Sequence, residues 1–145
     1  MKAKGHDWRF AILVDSRQVD IITYPNSVDV DFGLEVEVSN HVGRKTPTVT
    51  GTNKECTFAC PFDVSSIEYL RLVKWQREKN APNSERRNIR IDISCSCDFG
   101  PEGRGRYGFS DCTLSGAGLS VQGRVEQNTT SSPTFTSGDV QFYGL

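Results

Sequence analysis

Between residues 28 and 38 the chain alternates without a lapse: Val28, Val30, Phe32, Leu34, Val36 and Val38 are separated by Asp29, Asp31, Gly33, Glu35 and Glu37. Period two is the pattern of a strand, because successive side chains leave a strand on opposite faces. Read as one strand, the segment is about 35 Å long at about 3.4 Å per residue, beyond the usual strand of a small domain. One face is apolar and must be covered. The other carries Asp29, Asp31, Glu35 and Glu37, whereas a merely solvated sheet face mixes charge signs or uses Thr, Ser and Lys. Residues two apart on one strand sit side by side and cannot flank a glycosidic bond, so a surface that repels a polyanion is preferred to a hydrolase pair.

The rest of the chain supports a sheet protein of one domain, 1–145. Residues 10–14 and 18–22 flank Asp15-Ser16-Arg17, a polar connection suited to a hairpin, and Pro25-Asn26 marks the next turn. Residues 39–48 hold turn formers and the cations Arg44 and Lys45 beside His41, with Val42 alone apolar, and read as a long exposed loop. Cys56, Phe58, Cys60 and Phe62 alternate with Thr57, Ala59 and Pro61, predicting a second strand with its even positions in the core.

A helix is predicted over 65–79. Ser65 and Glu68 have capping-box spacing and Val64 can staple to Tyr69, while Ile67, Tyr69, Leu70, Leu72 and Val73 make the apolar face and Asn80-Ala81-Pro82 stops it. After a polar stretch, 80–88, a long strand over 89–99 puts Ile89, Ile91, Ile93, Cys95, Cys97 and Phe99 on one face. Gly100-Pro101-Glu102-Gly103-Arg104-Gly105-Arg106 reads as a hairpin tip. Tyr107 and Phe109 share a parity that Cys112 and Leu114 do not, so a bulge near Ser110-Asp111 is expected. Further strands follow at 119–125 and 135–142, and residues 1–9 are left as an N-terminal arm.

The net charge of −1 supplies no basic field for nucleic acid. The longest apolar run near the start, residues 10–14, is far short of the roughly 20 residues of a membrane span. Met1-Lys2-Ala3-Lys4 is basic, but His6, Asp7, Trp8 and Arg9 break any resemblance to a secretory leader. Five cysteines, an odd number without regular spacing, favour a reducing compartment. Cys56, Cys60, Cys95 and Cys97 could be drawn as a zinc site, yet all four continue apolar faces and lack C-x2-C spacing, so they are read as reduced core residues with no metal. His6 and His41 sit at a terminus and in a loop, away from any Ser or Cys nucleophile. No catalytic residue and no cofactor is expected.

The order of these elements resembles the tail tube proteins of tailed phages, above all those of contractile and phage-like particles. The resemblance rests on the hairpin ending Val19-Asp20-Ile21-Ile22, the alternating strand 28–38, the loop around Gly43-Arg44-Lys45, the strand 55–62, the helix from Ser65, the strand 89–99 and Tyr107-Gly108-Phe109-Ser110-Asp111-Cys112. It implies a mainly β fold with one α-helix, a rolled antiparallel β-sandwich or barrel, closing into hexameric rings that stack into a tube for DNA during ejection. It further implies that Asp29, Asp31, Glu35 and Glu37, with Asp92 and Asp98, line the lumen, and that Asn40, His41, Val42, Gly43, Arg44 and Lys45 in the 39–48 loop contact the next ring. The implied partners are further copies of the chain, a tail sheath, a tape measure protein, baseplate and terminator proteins, and DNA in transit. The implied location is a virion tail assembled in the host cytoplasm. A terminator, baseplate-proximal or secretion-system ring is the second reading. A monomeric β-sandwich binding module is the third, and would show clustered exposed aromatics where Trp8 and Trp75 are far apart in sequence.

Overall fold

The computed structural model describes residues 2–15, 17–19, 25–83, 90–123 and 126–145. The expected strand ending at residues 20–22, the polar stretch 84–88 with Ile89, and the end of the expected strand at 124–125 lie outside these. The strands in chain order are β1 (Trp8–Val14), β2 (Arg17–Val19), β3 (Asp29–Asp31), β4 (Leu34–Ser39), β5 (Thr48–Asn53), β6 (Cys56–Ala59), β7 (Phe62–Asp63), β8 (Ile91–Asp98), β9 (Arg104–Phe109), β10 (Thr113–Gly116), β11 (Leu119–Ser120), β12 (Thr130–Ser131), β13 (Thr134–Ser137) and β14 (Val140–Tyr143). One helix, α1 (Glu68–Asn80), separates β7 from β8. Trp8 and Arg9, expected in the arm, already pair with Cys97 and Ser96 in β1.

Two sheets face each other across the core. One has the order β14-β9-β8-β1-β2 and the other β10-β13-β6-β3, all antiparallel. Ile12, Ile91, Ile93, Cys95 and Phe109 from the first pack with Cys56, Phe58, Leu114 and Phe135 from the second. Phe58 spans the gap, its ring 5.9 Å from Phe10 and 6.2 Å from Phe109. Alternation on β6 and β8 predicts these inward positions correctly, because both strands have a covered face.

A third sheet, β11-β12-β7, continues the four-stranded one. The break falls at Pro61 on one strand and Pro133 on its neighbour, residues that donate no ladder hydrogen bond. Their carbonyls are still used, accepting from Asn26 N at 2.8 Å and Cys60 N at 3.3 Å. α1 covers this extension: Tyr69 sits edge-on to Phe62 at 5.5 Å, its hydroxyl meets the Gly118 peptide, and buried Gln76 accepts from Leu114 N at 3.2 Å.

Three local expectations are corrected. The strand expected over 135–142 is two, β13 in the four-stranded sheet and β14 in the five-stranded one. The helix starts at Glu68 and not at Ser65, and it is Ser66 whose hydroxyl accepts from Glu68 N at 3.2 Å, so the capping box does not form. The later start and the packing on β7 and β10 bury Tyr69, Leu72, Trp75 and Gln76 and leave Ile67 and Leu70 exposed. The parity change before Cys112 is no bulge within one strand. The chain leaves the five-stranded sheet after Phe109, turns at Asp111 with φ 51°, and enters the four-stranded sheet as β10.

All five cysteines are buried and unpaired. Burial pushes the thiols of Cys60, Cys95 and Cys112 up to about 12. An unfolded thiol titrates near about 8.5, so above that pH the unfolded chain sheds protons that the folded protein retains. Stability is therefore complete below about pH 8.5 and falls as pH rises toward 12, by up to about 1.4 kcal/mol per pH unit for each thiol. Thermal melting should be flat from pH 6 to 8 and drop steeply above 9, with the native thiols slow toward iodoacetamide. A melting temperature unchanged between pH 8 and 10 would contradict the core placement.

Candidate assembly surfaces

The segment 28–38 is not one strand. β3 pairs with β6 in the four-stranded sheet, β4 pairs with β5 alone, and the register slips by one residue between Asp31↔Thr57 and Leu34↔Asn53. Gly33 lies at the slip with φ +71°, a conformation that suits glycine. Its N–H donates to Asp31 Oδ1 at 2.8 Å and its carbonyl accepts from Lys54 N at 2.7 Å, which holds the joint. Beyond it, β4 and β5 form a hairpin that leaves the sandwich.

That hairpin is amphipathic, and among the described residues its apolar side stays exposed. Register places Leu34, Val36 and Val38 with Asn53, Gly51 and Val49 on one face, and Glu35, Glu37 and Ser39 with Thr52, Thr50 and Thr48 on the other. Leu34 is 77% exposed, Val36 61%, Val38 60% and Val49 63%. The expectation of one long strand with a single apolar face is thus corrected: beyond Phe32, whose ring lies 5.1 Å from that of Tyr107 and 6.4 Å from that of Phe109, the apolar positions are exposed. Val28 and Val30 do pack on the core. The β-branched run at Thr48, Val49, Thr50 and Thr52 was the available signal that this loop's far side is itself a strand.

The tip comprises Asn40, His41, Val42, Gly43, Arg44 and Lys45 with Thr46 and Pro47, all exposed, and the first half-buried residue after it is Thr48 of β5. It is tied internally by Arg44 N to His41 O at 3.2 Å and by the Arg44 guanidinium to the Thr48 hydroxyl at 3.4 Å.

The six carboxylates singled out in the sequence fall on three surfaces. Asp29 and Asp31 lie on the outer face of the four-stranded sheet, where register and contacts align them with Thr57, Ala59, Thr134, Thr136, Thr113 and Ser115. That face holds no Lys or Arg on its strands. Glu35 and Glu37 lie on the polar side of the hairpin. Asp92 and Asp98 belong to β8 in the opposite sheet, and both serve turns: Asp92 accepts from Arg90 Nε at 3.3 Å and Asp111 N at 3.0 Å, Asp98 from Gly100 N at 2.9 Å. Among the described residues no group of three or more His, Cys, Asp or Glu is placed to hold a metal ion, and no helix is long and apolar enough to cross a membrane.

No protein-family model and no curated protein matches the chain. Solved structures do. A chain of the sheath-tube complex of an extracellular contractile injection system in its extended state superposes with TM-score 0.61 at 15% identity, covering 94% of this chain and 89% of that one. A chain of the anti-feeding prophage baseplate, 6-fold symmetrised, gives 0.62 at 10% identity over 99% and 97%. Hcp1 from Flavobacterium johnsoniae gives 0.50 at 13% identity over 94% and 95%. At these identities the likeness shows the fold alone: antiparallel sheets with a single helix.

Proposed function

We propose that this chain is the ring-forming structural subunit of a tube, with no enzymatic role, in a phage tail or tail-like particle. Copies close into hexameric rings, the rings stack, and the channel conducts DNA during ejection. The observation that carries this reading is the β4–β5 hairpin. A two-stranded ribbon is marginal alone in water, and one that holds out Leu34, Val36, Val38 and Val49 is stabilised only by covering that face. A neighbouring copy is the cover that closed symmetry supplies. The 6-fold symmetrisation of one structural neighbour supports a ring of six.

In this ring the four-stranded sheet faces the axis. Asp29 and Asp31 set among Thr57, Thr113, Thr134 and Thr136 make a wall of short side chains without a cation. DNA carries one charge per about 1.7 Å of axis, and a wall of Lys or Arg would bind the cargo it has to pass. Glu35 and Glu37 extend this wall along the hairpin. Asp92 and Asp98, on the other sheet, are not part of it. Screening over about 8 Å confines the repulsion to DNA near the wall. The tip, Asn40 to Lys45, meets the adjoining ring, with the sheath, tape measure, baseplate and terminator proteins as the remaining tail partners.

Sedimentation and negative-stain microscopy of the purified full chain test the proposal. Rings or tubes are expected as concentration rises. A monomer at every concentration, including with its tail partners present, would contradict it.

A further inference from the structure

The outer face of the five-stranded sheet differs in charge from that of the four-stranded sheet. Register aligns Arg9 (β1), Ser96 (β8), Arg106 (β9) and Tyr143 (β14) in one row across four strands. Arg104 lies two residues from Arg106 on the same side of β9, opposite Asp98. All three arginines are exposed. The ion pairs Arg71–Glu68, Lys74–Glu78 and Arg90–Asp92 do not take in any of the three, although Arg104 has Asp98 as its cross-strand neighbour. Arg106 rests over the Tyr143 ring at 5.8 Å, which holds it flat against the sheet, and Arg9 and Arg104 line one surface cavity with Asp7, Ser96 and Asp98.

From this we infer that the five-stranded face is a docking surface for an acidic segment of a partner protein. The inference rests on the ring reading, in which one sheet faces the axis and the other faces away from it. Arg9 and Arg106 are two strands apart, about 9.6 Å, and Arg104 and Arg106 about 6.8 Å apart along one strand. Glutamates two turns apart on a helix laid across the strands, about 10.5 Å, match the Arg9–Arg106 separation, with Arg104 off that line. Each guanidinium can take a carboxylate by two parallel hydrogen bonds. Asp98 and Asp7 beside the row disfavour a uniform polyanion such as nucleic acid, whose phosphates would meet them, while a peptide can place its carboxylates only where the arginines are.

The test uses the full-length protein and a fluorescein-labelled helical peptide with Glu at every seventh position among Ala and Gln, read by fluorescence anisotropy, with a labelled single-stranded oligonucleotide in parallel. The peptide should bind, and Arg9→Glu/Arg106→Glu should weaken it about tenfold, since two exposed pairs are lost and reversed. Arg71→Gln/Lys74→Gln, which removes two exposed cations on α1, should leave binding unchanged. Peptide affinity unaltered in the arginine variant would overturn the inference, as would an oligonucleotide that binds more tightly than the peptide and loses affinity in the same variant. Microscopy of the same samples separates the two readings. Assembled tubes whose peptide binding ignores the arginines refute this inference alone, and monomers that bind the peptide through them refute the ring alone.

Discussion

Replacing Val36 and Val38 together by aspartate should abolish assembly while leaving the subunit folded. In the lone chain both side chains are about three-fifths exposed, so the substitutions remove little burial, and the melting temperature should stay within about 2 °C of the parent. In the proposed ring the same positions would be covered by a neighbour. Losing two half-buried valines forfeits about 2 kcal/mol, and placing carboxylates in that contact adds at least about 1 kcal/mol more. A loss of about 3 kcal/mol per subunit raises the concentration needed for assembly more than a hundredfold. Normal tubes from this variant would show that the apolar face of the hairpin is not an intersubunit contact.

The second large effect belongs to Gly33. At φ +71° a side chain is strained by about 1–2 kcal/mol, and here a Cβ would also collide with the backbone carbonyl oxygens of Lys54 and Glu55, atoms that cannot turn aside. Gly33→Val should therefore cost about 3 kcal/mol and lower the melting temperature by roughly 10 °C. The strain sits where the hairpin joins the sandwich, so assembly should fail along with stability. A melting temperature within about 2 °C of the parent would mean the joint can be remade without its glycine.

These two sites show where sequence reading stops. Alternation located the inward residues of β6 and β8, because Cys56, Phe58, Ile91, Ile93 and Cys95 face the protein's own core. The same alternation over residues 34–38 is equally regular, yet it faces solvent. Period two says that one side of a strand needs an apolar neighbour and is silent on whether that neighbour is in the same chain. Gly33 occupied a polar slot in the pattern and so concealed the register slip, which depends on its φ and its bonds to Asp31 and Lys54. The helix offset has a similar origin. Ser65 and Glu68 satisfy capping-box spacing, but packing of Tyr69 on Phe62 fixes the first turn, and Ser66 is left to accept from Glu68. The arginine row was invisible because Arg9 and Arg106 are neighbours only through β8.

In the proposed ring the four-stranded sheet faces the axis and the hairpin lies on a neighbouring copy. Cryo-electron microscopy of the assembled full-length protein tests this arrangement most directly. Six subunits per ring are expected, with Asp29 and Asp31 projecting into the channel and Leu34, Val36, Val38 and Val49 buried against an adjacent subunit. A particle in which those aspartates point outward, or in which the hairpin's apolar face stays in solvent, would contradict it.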